Sequence, residues 1–151
     1  TKSMAIPGIR LGYLFCPKEQ DAKKVQEQVS EWNVSVIAQR AGIAGMQVLA
    51  DGTYLSQARQ LLERERAYLT QSLQELGAKV YPGTANFLLF YEDSIDWYAA
   101  LLKQKILIRD CSDYAGLSKG FYRIAIRRRE ENQVLVETMQ AVKEGKEVRW
   151  K

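Results

Sequence analysis

The stretch Thr1-Lys2-Ser3-Met4-Ala5-Ile6-Pro7-Gly8-Ile9-Arg10-Leu11-Gly12-Tyr13 sets one amine, Lys2, and one guanidinium, Arg10, eight residues apart across a Pro7-Gly8 turn. A lysine amine can condense with an aldehyde to a Schiff base, and an arginine offers a rigid fork of donors matched to phosphate. Each residue also has an ordinary reading. A lysine at the second position of a chain is a solvated end, and Pro-Gly is a common turn. The joint pattern of Lys, Pro-Gly and Arg, followed directly by an apolar run over residues 11–16, is uncommon and marks a candidate site.

The run IPGIRLGY, with its lysine eight positions before the arginine, resembles the active-site segment of the fold-type I pyridoxal-phosphate enzymes, in the branch of threonine-phosphate decarboxylase and histidinol-phosphate aminotransferase. TANFLLF (84–90), ILIRDCSDYAGL (106–117) and FYRIAIRRREEN (121–132) extend the likeness over essentially the whole chain. The resemblance implies that Lys2 is the Schiff-base lysine and that Arg10 holds the phosphate of pyridoxal 5'-phosphate. It also implies that Arg109 and Arg123, fourteen positions apart, grip the substrate. Asn33, in the segment NVS, is a further substrate-binding candidate, with the alternative that it only neighbours a helix cap at Ser35. The half that precedes the lysine in this family supplies a glycine-rich phosphate loop, a ring stacked on the pyridine and an aspartate for its nitrogen. None of these is present, so the chain is expected to be the C-terminal part of an aspartate-aminotransferase-like α/β fold. Residues 1–52 would be a remnant of the large cofactor-binding domain, and 53–151 a connecting long helix with a small α/β domain.

Composition agrees with a globular protein, with 46% apolar and 26% charged residues in 151. The 22 Lys and Arg against 18 Asp and Glu give a net charge of +4, and the signs are interspersed, which carries no nucleic-acid signal. Arg127-Arg128-Arg129 is followed at once by Glu130-Glu131 and reads as a solvated helix start. No stretch approaches the roughly 20 apolar residues of a membrane span, and no secretory leader is read. The absence of histidine rules out an imidazole base from this chain, and two cysteines in unrelated contexts, Cys16 and Cys111, without a CxxC motif, give no sign of a metal or disulfide framework. Reduced cytoplasmic thiols are the expectation.

Along the chain, residues 11–16 read as a buried strand ending at Pro17, and 18–30 as an amphipathic surface helix with Ala22, Val25 and Val29 on its apolar side. Residues 36–50 form an apolar helix rich in Ala and Gly, suited to close approach by another backbone. From Thr53 a stripe of Leu55, Ala58, Leu62, Leu69, Leu73 and Leu76 runs to a Gly77 C-cap, with Glu63-Arg64-Glu65-Arg66 alternating beside it. About 24 residues make about 36 Å of helix, a length suited to joining two domains. Strands follow at 79–81 and 86–91, a helix capped by Ser94 runs to 104, and buried strands lie at 106–109 and 121–126. A last helix begins near Arg129 and ends near Lys143.

Arg109 and Arg123 sit in or at the end of apolar strands, where an isolated charge is costly unless it meets an anion. Two anions are conceivable: a substrate carboxylate or phosphate, or an internal partner among Glu92, Asp93 and Asp110. The resemblance favours the first. It implies a pyridoxal-phosphate-dependent decarboxylase of the threonine-phosphate type, with histidinol-phosphate aminotransferase as the alternative, acting on a small phosphorylated amino-acid-like substrate within a homodimer. The 151 residues alone, lacking the rest of the cofactor site, are expected to be catalytically inactive.

Overall fold

The structure, a computed structural model, describes residues 3–4 and 6–146. They group into two compact units, Thr1–Gln57 and Ala58–Lys151, with one long helix beginning in the first and continuing into the second. The first holds a 3-10 turn, Pro7–Ile9, helix α1 (Glu19–Gln26), helix α2 (Val36–Leu49) and the start of α3 (Thr53–Glu75). The second continues α3 and adds β1 (Lys79–Tyr81), β2 (Phe87–Tyr91), α4 (Trp97–Lys103), β3 (Arg109–Asp110), β4 (Phe121–Ala125) and α5 (Arg129–Lys143).

In the first unit the 3-10 turn packs on α2. Ser35 caps that helix by accepting from the Ala38 amide at 3.1 Å. Residues 11–16 are not the buried strand expected of them: they form no strand, and Tyr13, Leu14 and Phe15 are 98%, 68% and 82% exposed. A strand satisfies its amides only by pairing, and the first unit holds no other strand among the described residues. The helix expected at 18–30 is the shorter α1, and Val25 and Val29 on its apolar side are exposed.

The second unit is an antiparallel four-stranded sheet in the order β1-β2-β4-β3, so that β4 returns between β2 and β3. Alternation along the strands sends Leu88, Phe90, Tyr122 and Ile124 into one core with Leu69 and Leu73 of α3, Trp97 and Leu101 of α4, and Leu135 and Met139 of α5. Three helices end alike. After α3 the Ala78 amide reaches the Leu73 carbonyl and the Gly77 amide that of Gln74; Ile106 and Lys105 repeat this after α4, and Lys146 and Gly145 after α5. The turning residues have φ 87°, 60° and 68°, a left-handed conformation natural to Gly77 and Gly145 and adopted by Lys105 against its side chain. Ser94 does not cap α4. Asp96 does, accepting from the Ala99 amide at 3.0 Å, while the Ser94 amide donates to Glu92 at 3.0 Å. The indole of Trp97 donates to the same Glu92 carboxylate at 2.5 Å and anchors the helix start. The strand expected at 106–109 is reduced to Arg109–Asp110; of its apolar residues Ile108 is buried in the core, Ile106 packs half-buried against it, and Leu107 is exposed.

Glu65 departs most from a reading by pattern. The alternating charges were expected beside the apolar stripe, yet Glu65 is fully buried. Its carboxylate accepts from Arg129 Nε at 3.0 Å, Asn132 Nδ2 at 3.0 Å and Arg64 Nε at 3.1 Å. The Arg129 guanidinium lies 4.1 Å from the centre of the Tyr68 ring. Asn132 also donates to the Arg127 carbonyl and accepts from the Arg127 amide, fixing the turn from β4 into α5. Burial pushes the Glu65 carboxyl up, but the hydrogen bonds from Arg129, Asn132 and Arg64 outweigh it and hold the group below the usual carboxylate range. A folded value below the unfolded one means that this stabilisation is complete above the unfolded value of roughly 4.3 and is lost as pH falls through the folded one. Glu65→Gln should therefore cost about 1–3 kcal/mol at pH 7 in urea unfolding followed by circular dichroism, with the deficit shrinking as pH falls below about 4. An equal deficit at both pH values would assign the loss to packing alone.

Candidate active site

The strand alternation that fills the core places Phe87, Leu89 and Tyr91 of β2, Phe121, Arg123 and Ala125 of β4, and Arg109 of β3 on the opposite face, where they are half-buried or exposed. Arg109 and Arg123 are direct cross-strand partners, and Leu89 stands opposite Arg123 on its other side. Two guanidiniums thus rise from neighbouring strands on one face. Like charges directly opposite repel.

Among the described residues no acid relieves them: neither arginine makes a salt bridge, and each candidate partner is engaged elsewhere. Asp110 accepts from the Ser112 amide at 2.9 Å, Asp93 from the Tyr91 hydroxyl at 2.6 Å, and Glu92 from Trp97 and Ser94. The hydrogen bond to Asp93 pushes the Tyr91 phenol up, so Tyr91 stays a neutral donor. Cys111, at the end of β3, is buried, and that burial pushes its thiol up, so it offers no thiolate beside the arginines. The guanidinium carbon of Arg123 lies 4.7 Å from the centre of the Phe87 ring.

In the first unit Arg10 follows the 3-10 turn with φ 56°, a left-handed conformation that a residue with a Cβ adopts at a cost of about 1–2 kcal/mol. It is exposed and has no ion pair among the described residues. Its segment is seated on α2 through glycines three apart on one helix face: a Cβ at Gly42 would fall 2.6 Å from Leu11 Cδ2, and one at Gly45 would collide with Met4 Sδ. Side chains fill the space that the small residues leave, where a second backbone had been expected. Asn33 is exposed, and its amide donates to the Ser30 carbonyl at 3.2 Å in the turn before Ser35. Lys2 lies outside the described residues.

Sequence reasoning picked out Arg10 and Asn33, and took Arg109 and Arg123 as a pair whose strands flank one loop and can be neighbours; the structure makes those strands neighbours and sets the two arginines directly opposite, a register that spacing does not supply. It missed Phe87, whose only signal was its place two residues before Leu89 in an apolar run.

Residues 1–139 match the family model of aminotransferase class I and II. The threonine-phosphate decarboxylase of Salmonella typhimurium is 37% identical over 148 residues, covering 96% of this chain and 40% of its own length. The histidinol-phosphate aminotransferase of Nitratidesulfovibrio vulgaris is 31% identical over 144 residues, covering 94% and 37%. Among solved structures, the histidinol-phosphate aminotransferase from Clostridium acetobutylicum matches with a TM-score of 0.87 at 29% identity, over 96% of this chain and 44% of that one. A mutant aspartate aminotransferase from Thermus thermophilus matches with a TM-score of 0.70 at 26% identity. The chain spans about 40% of the length of the curated relatives it matches. An α/β fold shared with aspartate aminotransferase, and a family match over residues 1–139, establish that this chain belongs to the class I and II aminotransferase family.

Proposed function

We propose that this chain is the C-terminal part of a pyridoxal-phosphate-dependent enzyme acting on a small phosphorylated amino acid, most closely a threonine-phosphate decarboxylase. Residues 1–52 would then belong to its cofactor domain and 53–151 to its small domain. The observation that carries the reading is the opposed pair Arg109 and Arg123, two guanidiniums on one sheet face with no acid between them among the described residues. Such a pair is stable where an anion lies across it, and a substrate with a carboxylate and a phosphate offers two. The 37% identity to a threonine-phosphate decarboxylase supports decarboxylation. The TM-score of 0.87 with a histidinol-phosphate aminotransferase favours transamination as the second reading.

The donor set fits the cofactor's phosphate end. Arg10 offers a guanidinium without an acidic partner among the described residues, on a backbone held in a costly conformation. When bound, pyridoxal phosphate supplies an electron sink for the bond that breaks at the substrate's α-carbon. Arg10 would hold its phosphate, and Lys2 Nζ would attach its aldehyde. Arg109 and Arg123 orient the substrate. Their grip would decide which bond at the substrate's α-carbon is the one to break, that to the carboxylate or that to hydrogen; in the second case Lys2 Nζ, freed once the substrate's amine has taken its place, would take the proton as general base. Asn33 completes the set as a neutral donor, and a cytoplasmic homodimer is the form proposed for the whole enzyme.

Borohydride reduction of the whole enzyme in the presence of the cofactor, followed by peptide mass analysis, should place the pyridoxyl adduct on Lys2 and on no other lysine. Lys2→Ala should remove it while leaving the circular dichroism spectrum intact; an adduct elsewhere refutes the assignment. Arg10→Ala should weaken cofactor binding by about 1.5–3 kcal/mol in a fluorescence titration, the scale of a hydrogen bond to a charged group. An unchanged dissociation constant would make Arg10 structural.

The arginine pair can be tested without cofactor. Arg109→Gln should stabilise the 151-residue chain by about 0.2–1 kcal/mol at low ionic strength by removing one of two opposed charges. Inorganic phosphate should raise the melting temperature of the unsubstituted chain more than that of the variant. A variant that melts lower, or responds equally to phosphate, would mean that the two charges do not share an anion.

A further inference from the structure

Among the described residues Arg123 has no acidic partner, yet it is not without a contact: its guanidinium carbon lies 4.7 Å from the centre of the Phe87 ring. The strand register produces this contact. Phe87 stands opposite Ala125 and Leu89 opposite Arg123, so Phe87 and Arg123 are diagonal neighbours on one face.

The backbone leading to the ring is held at two points. Arg66 of α3 donates from Nη1 to the Gly83 carbonyl and from Nη2 to the Ala85 carbonyl, each at 2.7 Å, clamping the loop that leads into β2. The Ile126 amide donates to the Asn86 carbonyl at 3.0 Å, tying the residue before Phe87 to the far end of β4. Phe87 therefore offers Arg123 a platform whose place is set by the backbone.

A guanidinium over an aromatic ring is attracted through its flat face, and its N–H donors point outward in its own plane. An acidic partner would occupy two of those donors; the ring occupies none. With the guanidinium lying flat on the ring, the contact would limit where the fork points and leave its edge for a planar anion. Holding a long side chain in its binding conformation also reduces the entropy lost when the ligand arrives. Arg109, exposed on the two-residue β3, has no aromatic ring beneath it among the described residues.

We propose that Phe87 is a positioning residue, holding Arg123 through its ring face so that the guanidinium edge is oriented to take a carboxylate. This rests on the reading of Arg123 as a substrate-binding residue, and the test separates the two claims.

Two ligands without an amine, 3-phosphonopropionate and propylphosphonate, differ by one carboxylate and cannot react with the cofactor. Their binding to the whole holoenzyme is measured by titration calorimetry. Phe87→Leu should weaken 3-phosphonopropionate by about two- to fivefold, the scale of an exposed cation–π contact, and leave propylphosphonate unchanged. Replacing Phe87 by pentafluorophenylalanine, which keeps the ring's shape while reversing the charge on its face, should weaken 3-phosphonopropionate likewise, and Phe87→Trp should retain the preference. Equal loss for both ligands, or none, overturns the positioning role, as does unchanged binding in the fluorinated protein. Arg123→Gln should abolish the preference for the carboxylate. If the preference survives that change, the reading of Arg123 fails and the proposal with it. If Arg123→Gln abolishes the preference while Phe87→Leu leaves it intact, only the role of Phe87 falls.

Discussion

A carboxylate with no access to water ties the second unit together. Glu65 enters the interior at the cost of its hydration, which is large for any ion, and recovers it only because three donors converge on two oxygens. Those donors come from three places: the preceding residue of α3, the first residue of α5, and Asn132 one turn further on. The arrangement therefore fixes the rotation of α3 and the entry of α5 in one step. Asn132 extends it by holding both backbone groups of Arg127, where β4 has just ended. Through that link a buried ion pair sets how the last strand leaves the sheet. A hydrophobic residue of similar size would fill the space without specifying which turn of α5 must meet which turn of α3.

The sheet divides its labour by the parity of its residues. One set of alternate side chains fills the core, so the other set is committed to the opposite face whatever its chemistry. Arg109, Arg123, Phe87 and Tyr91 share that face because the residues beside them in sequence are needed in the core, Ile108, Tyr122, Leu88 and Phe90 among them. Two arginines in such strands cannot be moved to safer positions without shifting the register and exposing the core. Their closeness is thus built into the fold.

Much of this was legible from one sequence. The apolar stretch read over 36–50 and the last helix read from near Arg129 to near Lys143 match α2 and α5, the short runs broken by Pro82-Gly83 match β1 and β2, and the stop read at Gly77 matches the end of α3. What failed did so for identifiable reasons. Residues 11–16 have the composition of a buried strand, but composition cannot supply a pairing partner. Glu65 looks like its exposed neighbours Glu63 and Arg64, and only the position of Arg129, 64 residues later, makes its burial tolerable. Ser94 and Asp96 are both good caps, and the choice between them was made by Glu92, which engages Ser94. At the candidate site Arg109 and Arg123 were conspicuous as charges in apolar strands, whereas their mutual opposition depends on β4 lying between β2 and β3. The contact of Phe87 with Arg123 depends on that order too.

The sheet ends on two short strands, three residues in β1 and two in β3. A free edge is a template for pairing with another chain, and its danger grows with its length. An edge of two residues carrying Arg109 offers a stranger almost nothing to zip against and a positive charge to approach. The neighbouring Arg123 adds a second charge one strand inward, on the same face. The brevity and charge of this edge are features that make a strand a poor template for pairing, and they hold whether or not a ligand is bound.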